Sequence, residues 1–354
     1  MIDKYLVDII FIRLFNMSVA AGWLILAVIA LRLIMRKAPR WICCVLWAMV
    51  AVRLICPVSL ESVFSLVPSA ETISYEGETM PEITSGVPFV DDMLNPMIGS
   101  TINGSVDRPI QNVTTPPVSP LINWIHLAGI VWAAGFAALL AIAILRYLRV
   151  RRMLREAVLW QDNIWFCDHV KSPFILGIFK PGIYLPSDMG QGQMDYVLAH
   201  ERAHLKRKDH FWKALGYLLL AVYWFHPLVW VTFILLCRDI EVACDEKVIR
   251  NLDMSERKAY SRVLLSCSQQ RRMVIAYPLA FGKVGVKERV RSVLRYKKPA
   301  FWKAGAAIAV CVVVAVCFLT NPEQPEDGTL LPPIDLDKSE TNYPLAESEI
   351  VNGS

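Results

Sequence analysis

The chain has 354 residues, 55% of them hydrophobic and 19% charged, with a mean hydropathy of +0.40. A soluble globular chain is about 45–50% apolar and about 25% charged, so the composition argues against an ordinary soluble domain and for membrane segments. The net charge of +5 is too modest to signal nucleic acid, and no direct nucleic-acid partner is expected.

A helical span needs about 20 apolar residues, and four stretches are candidates. The first is roughly 11–34; no basic leader or small-residue cleavage site precedes Arg32, so it is expected to be retained. The second, roughly 41–57, "WICCVLWAMVAVRLICP", is short and carries Arg53. Residues 58–120 are rich in Pro, Ser, Thr, Gly and acidic residues and read as an irregular loop. The third span is 122–145. In "SPFILGIFKPGIYLP", 172–186, two apolar runs (174–179 and 182–185) flank a Lys-Pro-Gly turn, which predicts a hairpin. Its edge could align an extended peptide by strand addition, or the hairpin is purely structural. The stretch 211–236 is long enough to span but is broken by His226 and Pro227. The fourth span is 301–319, and the tail 320–354 reads as disordered.

Lysine and arginine in the flanks set the orientation. The turn 32–40 carries four basic residues, the flank 146–155 carries five, and the approach 283–303 is strongly basic. Residues 58–120 hold one basic residue, Arg108, against eight acidic ones, and 320–354 hold Lys338 against eight. The expected division is therefore 1–57, two spans with a basic inner turn; 58–120, an outer loop; 121–147, the third span; 148–300, a cytoplasmic domain; 301–320, the fourth span; and 321–354, an outer tail. The nine cysteines include no C-x-x-C pair and read as small buried apolar residues rather than metal ligands.

The chemistry lies in "LAHERAHLKRKDH", 198–210. His200 and His204 are four apart, so on a helix both imidazoles face one ion. Glu201 lies beside them, placed to hold and deprotonate a water whose pKa zinc would lower. The alternative is a solvated Glu201 and His204 with an isolated surface histidine. A third ligand is available 37 residues after His204, in "CRDIEVACDEKVI": Glu241 and Asp245 are again four apart. Glu241 would bind the metal and Asp245 would fix a ligand histidine through its free N–H; the bland alternative is an amphipathic helix with paired surface carboxylates. Asp239 and Glu246 are weaker candidates by spacing. Asp209 and His210 could help the site, but capping or solvating the helix end is the preferred reading; His226 and His126 read as core or membrane histidines, and His169 as a loop residue.

"SPFILGIFKPGIYLP", "LAHERAHLKRKDHFWK", "YWFHPLVW" and "RDIEVACDEKVI" together resemble the membrane-bound metallopeptidases of the beta-lactam-sensing antirepressor family, the penicillinase and methicillin-resistance signal transducers. The resemblance covers about residues 1–320. It implies an α-helical membrane protein, with about four transmembrane helices and a cytoplasmic α+β gluzincin-type metalloprotease domain. It further implies Zn2+ held by His200, His204 and Glu241, with Glu201 as general base and Asp245 as supporting acid. The sequence ends 34 residues after Thr320 with no S-x-x-K in the tail, so the penicillin-binding sensor domain, and with it covalent beta-lactam binding, are not expected.

Three functions remain in play. The first is a regulated zinc endopeptidase acting on a cytoplasmic transcriptional repressor, or on the chain itself. The second is a housekeeping peptidase of membrane proteins. The third is a non-catalytic membrane receptor that retains the zinc site. Membrane lipid is an expected partner throughout, and a homodimer is left open.

Overall fold

The computed structural model describes residues 2–35, 38–56, 60–61, 120–270, 285–298 and 300–321. Most of the stretches read as outer loop and tail lie outside the described residues.

Three helices are long and apolar enough to cross a bilayer: α1 (Ile2–Ile34), α3 (Pro120–Met153) and α9 (Phe301–Leu319). Between the first two, α2 (Arg40–Ile55) has 16 residues and buries Arg53. At about 1.5 Å per residue it rises about 24 Å, short of a full span. Three of the four expected stretches therefore reach span length among the described residues.

The stretch 211–236 falls within a helical hairpin, α5 (Asp209–Val222) and α6 (Pro227–Ile249). The break comes where the sequence places it: Pro227 occupies the first turn of α6, where its missing N–H would have no helical partner in any case. Tyr217 packs edge-on against Phe233 across the hairpin. The hairpin tip is held inside the bundle. Tyr223 Oη donates to the Leu54 carbonyl at 2.7 Å, Trp132 Nε1 donates to the Val222 carbonyl at 2.8 Å, and the Phe225 ring meets Phe11 and Phe15. The tip thus lies level with the last turn of α2. The broken stretch thus forms a hairpin, with Leu220, Val229 and Phe233 in one core with α1, α2 and α9.

The α+β part begins with a 3-10 turn at Leu154–Glu156 and a four-stranded sheet: β2 (Val158–Gln161), β3 (Ile164–Phe166), β4 (Phe174–Leu176) and β5 (Gly182–Leu185), in the order β2-β3-β5-β4. A short parallel pair, β1 (Leu60–Glu61) and β6 (Thr320–Asn321), brings the chain beyond α2 to the end of α9. The expected hairpin is β4–β5, antiparallel with Ile175 opposite Ile183. Gly177 turns it at φ +109°, and a Cβ there would stand 2.5 Å from the Lys180 carbonyl oxygen. β4 is an edge strand. Ile183 and Leu185 of β5 pack with Val197 and Leu198 of α4 (Gln191–Arg207), which fixes that helix on the sheet. Two further helices, α7 (Met254–Gln270) and α8 (Val286–Leu294), complete the described part.

Candidate metal centre

His200 and His204 lie one turn apart on α4, each 5% exposed. Their rings meet edge-on with centroids 4.6 Å apart and Nε2 atoms 3.1 Å apart. α6 crosses them. Glu241 Oε2 is 3.6 Å from His200 Nε2, and Oε1 is 3.7 Å from His204 Nε2. One turn on, Asp245 Oδ1 is 3.3 Å from His200 Nδ1 and accepts a hydrogen bond from Tyr260 Oη at 2.7 Å. The Tyr260 oxygen is also 2.8 Å from His200 Nδ1. All four of the residues expected to hold or orient the metal are therefore in one cluster. Glu201, the fifth, is 5% exposed and lines a cleft with His200, Tyr196, Tyr260 and Arg289. The cleft volume of about 30 Å³ leaves room for a water.

Four further side chains complete the cluster. Asp209 is 2% exposed, and its Oδ2 is 2.7 Å from His204 Nδ1, so it does not cap or solvate the helix end as expected. The cause is Lys208, a non-glycine residue in the left-handed region (φ 57°, ψ 34°) that ends α4 and turns the next residue back toward His204. Lys213 Nζ donates to Glu241 Oε1 at 2.8 Å. Arg289, from α8, grips Asp245 through Nε at 2.7 Å and Nη2 at 2.8 Å. Its Nη1 lies 3.1 Å from Glu241 Oε2, and its Nη2 lies 3.3 Å from His200 Nε2. Tyr260 comes from α7. No spacing rule points to Tyr260, Lys213 or Arg289, because the fold brings them from separate helices; for Asp209 the structure favours the other of its two readings, a role at the site.

The electrostatics are those of a dense buried network. Burial alone would lower the His200 pKa, but Cys244 and Glu241 outweigh it and push the imidazole up to about 9. Burial would raise the Glu241 carboxyl, yet Lys213, Arg289 and His204 hold it well below the usual carboxylate range. Burial and the neighbouring Asp245 push the Tyr260 phenol well above its ordinary value.

The donor atoms fit a small tetrahedral cation. Ligand atoms about 2.0–2.1 Å from a tetrahedral zinc lie about 3.3 Å apart, and the observed separations are 3.1, 3.6 and 3.7 Å. Each histidine Nδ1 faces a carboxylate, the arrangement that fixes tautomer and ring orientation in metal sites. Cys244 also comes within 4.8 Å of both imidazoles, so a His-His-Cys group is geometrically available too. Its Sγ faces the His200 carbonyl oxygen at 3.4 Å and Nδ1 at 3.7 Å.

The remaining histidines and acids stand apart. His126 pairs with Asp8, His169 is exposed, and His226 precedes α6. Asp239 is buried with Arg32 and Trp47, and Glu246 accepts the Arg40 backbone N–H.

The sequence profile described as BlaR1 peptidase M56 matches residues 12–293. The chain belongs to this M56 family. The match takes in α1 through α8 and so every residue of the cluster. Similar relatives are the regulatory protein BlaR1 of Bacillus licheniformis, 29% identical over 161 residues, and the methicillin resistance mecR1 protein of Staphylococcus aureus, 27% identical over 162. Each alignment covers 43% of this chain but only 27% and 28% of the respective relatives. The family is described as one of peptidases, and the matched region contains the His200–His204 cluster, a group that could hold a metal ion.

Proposed function

We propose that this M56 chain is a membrane-embedded zinc endopeptidase in which His200, His204 and Glu241 hold the metal. The observation that carries this is the convergence of two buried histidines and the partly buried Glu241, from two helices, at tetrahedral spacing. Glu241 is preferred to Cys244 as third ligand because its oxygens face both Nε2 atoms. Cys244 lies on the Nδ1 side of His200, where Tyr260 and Asp245 already stand. Asp245 and Asp209 orient His200 and His204. When bound, zinc supplies Lewis acidity toward water and toward a peptide carbonyl. Glu201 faces the cleft and takes a proton from the attacking water, then delivers it to the leaving amine. Arg289 and Tyr260 line the same cleft as Glu201 and are the candidate donors to a carbonyl oxygen that becomes charged there.

An extended peptide would align on the edge of β4, beside the helix that carries Glu201. The basic flanks support a site on the cytoplasmic side, within a domain of residues 148–300. The β1–β6 pairing supports the same topology, since it joins the exits of α2 and α9. The substrate in this reading is a cytoplasmic transcriptional repressor or the chain itself, and the role is signal transduction. The names of the two relatives, a regulatory protein and a resistance protein, support regulation over housekeeping.

The test compares new protein N-termini in cells expressing the wild type and Glu201→Gln at matched membrane levels. The substitution removes the base and leaves the ligands. Termini that depend on Glu201, including one in a repressor, are expected. Glu201-dependent cuts confined to membrane proteins would move the reading to housekeeping. Identical termini under every condition, cell-wall stress included, would leave the non-catalytic receptor.

A further inference from the structure

An apolar cavity of about 340 Å³ lies between α2, α5 and α6. Its walls include Ala48, Ala51 and Leu54 of α2, Leu215 and Leu219 of α5, and Phe233 of α6. Trp41 and Cys44 mark one end, where Arg207 and Asp209 also reach the wall. Leu54, whose carbonyl accepts the Tyr223 hydroxyl, lies toward the other end. Over residues 44–54, α2 rises about 15 Å, so the space is long as well as apolar. The space is partly open, so a guest can enter it. An apolar guest that fills it gains dispersion contacts along its walls.

The surroundings select the guest. The α2 wall packs against α1 and α9, two helices of bilayer length, so the cavity adjoins the hydrocarbon layer. Its polar end holds Arg207, paired with Asp209 and flanked in sequence by the exposed Lys206 and Lys208, and Arg40 directly precedes Trp41, so lysine and arginine outnumber the one carboxylate. The indoles of Trp41 and Trp212, 44% and 41% exposed, line that same end. Tryptophan favours the membrane–water boundary, and lysine and arginine attract lipid phosphate.

We propose that this cavity binds one acyl chain of a bilayer phospholipid, with the headgroup phosphate at the Arg207 end. The proposal rests on the chain's being embedded in a bilayer and not on the metal centre. The test uses the full-length protein in phosphatidylglycerol vesicles doped with a phosphatidylglycerol bearing a photoreactive diazirine on its acyl chain. After irradiation, adducts are mapped by peptide mass spectrometry. The exposed α3 residues Leu140 and Ile144 serve as the internal reference for contact with bulk lipid. In the wild type, adducts on Ala51, Leu215 and Leu219 should equal or exceed those on the α3 reference. In Ala51→Trp or Ala48→Phe, which fill the cavity, they should fall at least about fivefold while the α3 adducts persist. A wild type labelled on α3 and bare along the cavity walls would overturn the proposal without recourse to any variant. So would cavity labelling that survives both substitutions.

Discussion

Asp209 lies one residue beyond the left-handed turn at Lys208, and its carboxylate stands 2.7 Å from His204 Nδ1. A carboxylate in that position fixes the tautomer and raises the basicity of the ring, and losing it costs about 10–100-fold in metal affinity. Asp209→Asn is therefore expected to weaken zinc binding by about that factor, measured by competition with a chelator. An unchanged affinity would return Asp209 to a capping role. The charges of the cluster also set a pH dependence. In the metal-free protein the His200 pKa is raised to about 9, so its contribution to stability is complete below about 6.5 and is lost as pH rises through about 9. Glu241 runs the other way: its pKa is depressed, so its contribution is present above about 4.5 and lost as pH falls below that. Metal-free protein should melt highest in mildly acidic buffer and lower near pH 9. Zinc should stabilise it more as pH rises, because binding releases protons from the histidines. A metal-free melting temperature that climbs from pH 6 to pH 9 would contradict this. These residues differ in how far the sequence shows them. His200, Glu201 and His204 share one helix, as Glu241 and Asp245 share another, so helical period alone aligns each set. Asp209 could not be placed without the Lys208 turn, which no glycine announces. Arg289 is 48 residues beyond Glu241, and only the packing of α8 on α6 brings it in.

α6 carries Glu241 and Asp245 toward the cluster and Asp239 away from it. Asp239 is fully buried, accepts Arg32 through Nε at 2.7 Å and Nη2 at 2.8 Å, and accepts Trp47 Nε1 at 2.9 Å. The α1–α2 pair is thereby pinned to the helix that supplies the third donor. A second link runs from Cys44 of α2 to Arg207 at 3.4 Å, and from Arg207 to Asp209 at 3.2 Å. Removing one partner of a buried ion pair costs about 3–5 kcal/mol. Arg32→Met should lower the unfolding midpoint accordingly and weaken zinc binding as α6 loosens. Arg32→Met with Asp239→Leu should recover part of the stability, because no uncompensated charge remains. Equal losses in the single and double variants would argue against the pair as the joint. At α3, a Cβ on Gly135 would fall 2.4–2.6 Å from the Trp224 ring, whose Nε1 is held by the Trp132 carbonyl. Gly135→Ala should cost about 1–3 kcal/mol through overpacking, read in a denaturant melt. A neutral result would mean that the Trp224 ring moves freely.

At the scale of the whole molecule, the hydrophobic runs and basic flanks made the membrane character legible, since bilayer thickness sets a length that sequence alone can meet. The shortness of α2 and its Arg53 were legible too, and the helix has 16 residues with Arg53 inside. One feature was not legible. The stretch 211–236 had the length of a span, and its hairpin shape depends on Tyr223, Phe225 and Trp132 finding partners on three other helices. That hairpin lets the two donor helices face each other: α5 follows α4 directly, and α6 returns alongside it. The proposed chemistry depends on what the returning helix contributes. X-ray absorption of the zinc-loaded full-length protein measures it directly. The predicted first shell holds nitrogen and oxygen scatterers alone at about 2.0–2.2 Å, and Glu241→Gln loses most of the bound zinc. A sulfur scatterer at about 2.3 Å, with zinc retained in Glu241→Gln and lost in Cys244→Ser, would contradict the assignment and place Cys244 in the shell instead.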